Sequence, residues 1–180
     1  MKKLLLIIFA TLLYTGCSND DDSGAALPPA TTTGAGTFAC KVNGKSFIDP
    51  GSTFNCFYQY VDGGYYFGIN GRDEDYKRTN IPWSISIVST NVVFEEGETY
   101  QLFNRVDGNV TGYGSFVLPS NDYHAQETSS QYTGELTLTK FGTFNGTNII
   151  SGTFWFDVPH PVTGETIHIT DGRFDTTFLE

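Results

Sequence analysis

The chain is short of positive charge, of helix formers and of long apolar runs. Lysine and arginine number 10 against 20 aspartates and glutamates, for a formal net charge of -10. A phosphate backbone calls for a basic face, so nucleic acid is excluded as a partner. Docking on an anionic bilayer through surface charge is excluded for the same reason. Past residue 36 the only alanines are Ala39 and Ala125, and the only leucines are Leu102, Leu118, Leu136, Leu138 and Leu179. Coiled coils and helical repeats are not built from that supply. The cysteines are Cys17, Cys40 and Cys56, and no Cys-x-x-Cys occurs. His124, His160 and His168 form no His-Glu-x-x-His pair, and no Gly-x-Ser-x-Gly elbow is present. Zinc hydrolysis and serine hydrolysis therefore lack a motif, and no metal or cofactor is expected.

What is present begins with an address. Lys2 and Lys3 precede a ten-residue apolar run, Leu4 to Leu13, broken only by Thr11. Spanning a hydrocarbon core takes about 20 residues, so the run suits a secretory signal peptide rather than a membrane helix. It ends Leu13-Tyr14-Thr15-Gly16-Cys17. A small residue directly before a cysteine resembles the bacterial lipobox, although Tyr14 stands where an aliphatic residue is usual. The resemblance implies cleavage after residue 16 and acylation of Cys17. Acyl chains contribute about 0.8 kcal/mol per buried CH₂, so two or three hold a protein firmly on a bilayer. The run Asp20-Asp21-Asp22 behind the cysteine resembles the surface-export signal of Bacteroidota lipoproteins. Display outside the outer membrane is thus expected, with its periplasmic face as the alternative. Residues 24–36 are small residues, Pro and Thr, and read as a disordered tether.

Residues 37–180 read as one antiparallel β domain. Apolar residues alternate with polar ones at Phe38/Cys40/Val42, Tyr65/Phe67/Ile69, Trp83/Ile85/Ile87, Leu136/Leu138, Phe154/Phe156/Val158 and Ile167/Ile169. Asn43-Gly44 and Asp62-Gly63-Gly64 are hairpin turn signals. Nine or ten short strands predict a β-sandwich, or alternatively a small β-barrel. Residues 71–80 and 120–131 are polar and aperiodic and read as exposed loops.

The order of segments also carries a likeness. Phe38-Ala39-Cys40-Lys41-Val42-Asn43-Gly44-Lys45 comes early, and Gly97-Glu98-Thr99-Tyr100 in the middle. Gly134 to Phe141, Ile150-Ser151-Gly152-Thr153-Phe154-Trp155-Phe156 and Ile169-Thr170-Asp171-Gly172-Arg173-Phe174-Asp175 follow. This order resembles a family of Bacteroidota lipoproteins that carry a β-sandwich-like domain of unknown function. The resemblance implies the fold and the address, and no activity.

Each chemically suggestive group has a plain alternative. Cys40 and Cys56 both fall on apolar strand faces in an exported chain, where a disulfide is allowed. Closing a loop of that size contributes about 3 kcal/mol in the chain-entropy model. The alternative is two buried thiols packing as small hydrophobes. The clusters Asp73/Glu74/Asp75 and Glu95/Glu96/Glu98 read as solvated turns rather than calcium loops. The histidines read as exposed. A hairpin of 153–158 with 165–170, with Asp157 opposite Thr166, sets Phe154 against Ile169 and Trp155 against His168. Trp155 and His168 then form a wet aromatic pair that could stack a sugar, or simply a cross-strand pair. Asp171-Gly172 must reset that register. Asp175-Thr176-Thr177 resembles an acceptor for O-glycosylation. The expected function is non-enzymatic binding of a glycan or an envelope protein, in the manner of a nutrient-uptake accessory. The rivals are a structural envelope protein and a carboxylate-based hydrolase.

Overall fold

The computed structural model describes residues 25–51, 55–73 and 81–179. Within them the chain is all β, with strands β1 (Thr37–Val42), β2 (Lys45–Ile48), β3 (Asn55–Val61), β4 (Gly64–Arg72), β5 (Ser84–Thr90), β6 (Thr99–Leu102), β7 (Val110–Val117), β8 (Tyr123–Glu127), β9 (Gly134–Phe144), β10 (Thr147–Pro159) and β11 (Thr166–Thr177). The signal peptide, Cys17, the acidic run 20–22, Glu74 and Asp75 lie outside the described residues.

The strands form one sheet in the order β2-β1-β11-β10-β9-β6-β7-β5-β4-β3, with β8 paired to β7 off this path. Three of its hairpins are closed by tight turns whose paired residues have positive φ: Asn43-Gly44, Asp62-Gly63 and Asn145-Gly146. That backbone matches the right-handed twist of the flanking strands.

The sheet curls until its far reaches meet. Phe57 on the last strand in the order bridges Leu179, just past β11, in parallel. The Tyr58 N–H donates to the Leu179 carbonyl at 2.9 Å. Across the interior, a Cβ on Gly71 of β4 would stand 2.2 Å from Phe38 Cδ1 of β1. Aromatic bulk on one half thus fits bare backbone on the other. The core between them holds Phe38, Phe67, Phe116, Phe156, Ile85 and Leu136, all buried. The expected alternation is what fills it, and the result is a half-barrel with sandwich-like faces.

Three expectations need correction. Residues 123–127, read as loop, form β8. Its side chains are mostly exposed, so it lacks an apolar period; pairing with β7 from Tyr113↔Glu127 to Val117↔Tyr123 holds it. The β10–β11 register differs by two residues: Asp157 faces His168 and Pro159 faces Thr166. The connecting loop is tighter than expected because His160 closes it. The His160 N–H donates to Glu165 O (2.7 Å), and its Nδ1 accepts the N–H groups of Val162 and Thr163. A slip of two keeps every side chain on its expected face. The reset at Asp171-Gly172 is present: Asp171 has φ 51, and both neighbours of β11 shift register there.

The third correction concerns the tether. Residues 25–36 lie against the domain rather than free of it, at least through the hydrogen bonds they make with Ser46, Arg173 and Asp175. Their composition forbids a core of their own, but it leaves backbone and hydroxyl groups free to bind a strand face.

Candidate functional site

Six aromatic rings converge at one end of the curled sheet. The β3–β4 hairpin supplies Tyr58, Tyr60 and Tyr65; the segment before β6 supplies Phe94; β9 supplies Phe141; and Phe178 follows β11. Period-two alternation explains the first three, since residues 58 and 60 share a face and Tyr60 pairs directly with Tyr65. Together with Val93, Gly142, Thr143 and Asn148 they line a cleft of about 390 Å³. Small-molecule sites are concave, mostly apolar and of this size range.

The rings brace one another. Tyr58 stacks on Tyr65 with centroids 5.0 Å apart, and Phe141 stacks on Phe178 at 5.5 Å. Tyr58 meets Phe141 edge-on at 5.0 Å. Its hydroxyl accepts the Phe94 N–H (3.2 Å) and donates to Val92 O (3.3 Å), which fixes the floor. Burial pushes the Tyr58 phenol above its ordinary pKa, so it stays neutral. The mouth is open: Tyr60 is 64% exposed, and Val93 beside it is exposed too. Polar groups are few. The Asn148 Oδ1 accepts the Thr143 hydroxyl at 2.7 Å, which leaves the amide nitrogen as a donor at the cleft. Among the described residues, no acidic or basic side chain lines the cleft.

The expected platform lies elsewhere, on the outer face. Trp155 is 40% exposed and borders a shallower groove of about 290 Å³ with Glu135, Thr137, Thr153, Asp171 and Arg173. His168 does not line it. Trp155 falls at the register shift of β10 and stands beside Glu135 of β9, so it is not opposite His168. His168 instead pairs with Asp157, Nδ1 to Oδ1 at 2.8 Å. The gripping groups of the groove are already engaged. Trp155 Nε1–H donates to Glu135 Oε2 (3.2 Å), and Gln101 donates to its other oxygen (2.8 Å). Those bonds, Gln101's first, pull the Glu135 carboxyl below its ordinary pKa. Arg173 donates to the carbonyls of Asp171 and Pro28.

The cysteine expectation is also corrected. Cys40 and Cys56 are free, buried thiols. Cys40 sits on β1 opposite Phe47, and Cys56 on β3 opposite Ile69, at opposite reaches of the sheet order. Both pack in the core as small hydrophobes, and burial pushes both thiols up, Cys40 further helped by the Asp73 charge. His124 and His168 are exposed as expected, but His160 is buried against Phe116, with ring centroids 5.4 Å apart. Glu96, from the second acidic cluster, caps the Phe141 N–H and pairs with Lys140 at 3.0 Å. Among the described residues no three His, Cys, Asp or Glu side chains converge as a metal site would need. Thr176 of the glycosylation-like triplet is buried in the strand.

The aromatic cleft was not singled out from the sequence, although its signal was present in Tyr58, Tyr60 and Tyr65 flanking one turn. Comparison with models of protein families, with curated proteins and with solved structures finds no match to this chain.

Proposed function

We propose that the chain is a non-enzymatic binding module, anchored through lipid on Cys17 to the outer membrane and displayed at the cell surface, that takes a neutral glycan in its aromatic cleft. The carrying observation is the cleft itself: a concave site of about 390 Å³ lined by six rings and, among the described residues, by no charged side chain. A sugar ring offers an apolar C–H face to an aromatic ring and hydroxyls to its edge. Tyr60, Tyr65 and the Asn148 amide answer those two needs. A charged ligand would lose its hydration here without a partner. The hydrolase alternative calls for a carboxyl held protonated near neutrality. The described carboxyls whose titration the fold moves, Glu96, Glu135 and Asp175, all move down.

The test is a panel of neutral oligosaccharides against the soluble chain from residue 17 carrying Cys17→Ser, read by calorimetry. Binding that disappears in Tyr60→Ala at an unchanged unfolding midpoint, and survives in Trp155→Ala, supports the cleft. The reverse pattern assigns the ligand to the Trp155 groove and overturns the cleft reading.

A further inference from the structure

The two ends of the curled sheet can be told apart by register. One end carries the β1–β2 turn and the β10–β11 loop, since Val42 pairs with Ile169 and Pro159 with Thr166. The other carries the β9–β10 turn and Phe178, since Thr147 pairs with Phe144 and Phe178 N–H donates to Asn148 O. The β3–β4 turn belongs to this second end too. β3 runs parallel to the exit of β11 at Phe57↔Leu179, and the turn begins five residues beyond Phe57. The aromatic cleft therefore opens at the second end.

Residues 25–36 climb from the first end to the second. The Ala25 carbonyl accepts the Ser46 hydroxyl (2.6 Å); Ser46 pairs with Lys41, and Lys41 with Thr170. Higher up, the Pro28 carbonyl accepts from Arg173 Nη1 (3.2 Å). Higher still, the Asp175 carboxylate collects the Thr31 hydroxyl (2.6 Å) and the N–H groups of Thr33 (2.9 Å), Gly34 (2.7 Å) and Ala35 (3.1 Å). Ser151 adds its hydroxyl to the same carboxylate at 2.7 Å. Gly34 stands at φ +76 against Thr177 and Ile149, where an added Cβ would lie 3.3 Å from Thr177 Cγ2. Ala39 and Ile149 are buried yet stand outside the core cluster, as expected of an outer sheet face that is covered. After Gly36 the chain reverses into β1 and descends again.

We propose that this segment is a strap that fixes the pose of the domain on its lipid anchor, so that the aromatic cleft faces away from the bilayer. The proposal rests on the reading of Cys17 as the lipidated residue. With the strap docked, the chain joins the domain at Ala25, at the end opposite the cleft. Ala25 is eight residues from Cys17, a reach of at most about 29 Å when fully extended. With the strap released, the attachment point becomes Thr37, at the level of Asp175 near the cleft end. The tether then has twenty residues and a reach of at most about 72 Å when fully extended. The docked strap thus sets both the length of the tether and which end of the domain points outward. For a module that captures a ligand from the medium, that choice decides whether the site meets solvent or membrane.

The experiment uses the full-length acylated protein in vesicles that carry an energy-transfer acceptor on the lipid headgroup. A donor is placed at either end, on Val162→Cys in the β10–β11 loop or on Asn145→Cys in the β9–β10 turn; both positions are exposed and the native thiols are buried. β10 alone separates these positions by up to about 40 Å. Transfer is expected to be severalfold stronger from Val162→Cys than from Asn145→Cys. Asp175→Asn replaces an acceptor oxygen with a donor, and Gly34→Val strains the strap at φ +76 and presses it off Thr177 and Ile149 while leaving every strand residue in place. Either is expected to raise transfer from the Asn145→Cys donor and to open residues 25–36 to protease. Equal transfer from the two donors in the otherwise native protein, with Cys17 acylated by mass spectrometry, overturns the strap alone. So does transfer that stays unchanged after the strap has become cleavable. A Cys17 that carries no acyl chain overturns the anchor reading and the proposal with it.

Discussion

The contact between Gly71 and Phe38 offers the sharpest test of the fold, because only curling brings these residues together. β1 and β4 are not neighbours in the sheet; six strands stand between them in the order. Substituting Gly71→Ala would place a methyl 2.2 Å from Phe38 Cδ1 and 2.6 Å from Cε1. Real carbons do not approach so closely, so Phe38 or the backbone must move. Phe38 has little room, being 1% exposed and packed on Phe47 (centroids 6.5 Å) and Phe154 (5.3 Å). Overpacking of this kind costs about 1–3 kcal/mol. Phe38→Leu alone leaves a partial cavity and costs roughly 1–2 kcal/mol, less than full truncation of a buried Phe. In the double variant each change relieves the other, so the pair is expected to cost less than the sum by about 0.5–3 kcal/mol. Urea unfolding of the soluble Cys17→Ser chain, followed by tyrosine and tryptophan fluorescence at constant m-value, measures all four corners of the cycle. Energies additive to within about 0.5 kcal/mol would refute a packed contact between the two halves.

Acid should loosen the strap before it unfolds the sheet. Burial by itself would raise the Asp175 carboxyl, but hydrogen bonds led by Thr31 and Ser151 hold it well below its ordinary pKa. Its contribution is therefore full about a unit or more above the unfolded value near 4 and fades as pH falls from about 5 toward 2. Amide exchange at Gly34 and Ala35 should accelerate over that window; constant protection would contradict it. Cys40 and Cys56 should resist alkylation at neutral pH until urea unfolds the chain, since both are buried with raised thiol pKa values. Modification of either in the native protein, seen by mass spectrometry, would be inconsistent with that burial. His160→Ala should lower stability by about 1–2 kcal/mol, because the Val162 and Thr163 N–H groups lose their acceptor. An unchanged unfolding midpoint would show that water replaces it at no cost.

The alternation of apolar residues made the strands of the core legible, because a half-buried strand must place every second side chain inward. Phe154, Phe156 and Val158 could be assigned to the interior before their partners were known. Which residues face them was not legible, since a slip of two leaves the alternation intact. The length of the Pro159–Thr166 connection decided that register, and its length was set by the His160 ring bonding two backbone N–H groups. Pattern reading has no term for such a bond. β8 escaped for a related reason: an edge strand exposed on both faces carries no apolar period.

The strap shows the same limit in its strongest form. Ala-Leu-Pro-Pro-Ala-Thr-Thr-Thr-Gly-Ala-Gly has a composition that builds no hydrophobic core, and for that reason it reads as a tether. A segment can also be held by one carboxylate that collects its backbone N–H groups, and that needs only small residues and a glycine free to take positive φ. The trace of it in the sequence was Asp175, an acid between Phe174 and Thr176 in a strand that otherwise sends apolar side chains inward. On an outer face an aspartate would usually be left to water. Here it is wholly buried, and a buried carboxylate must find donors within the fold. Two hydroxyl-bearing threonines and three consecutive N–H groups, about 140 residues upstream, are what it found. The pairing is therefore a joint requirement. Removing the strap would strand the charge, and removing the charge would free the strap.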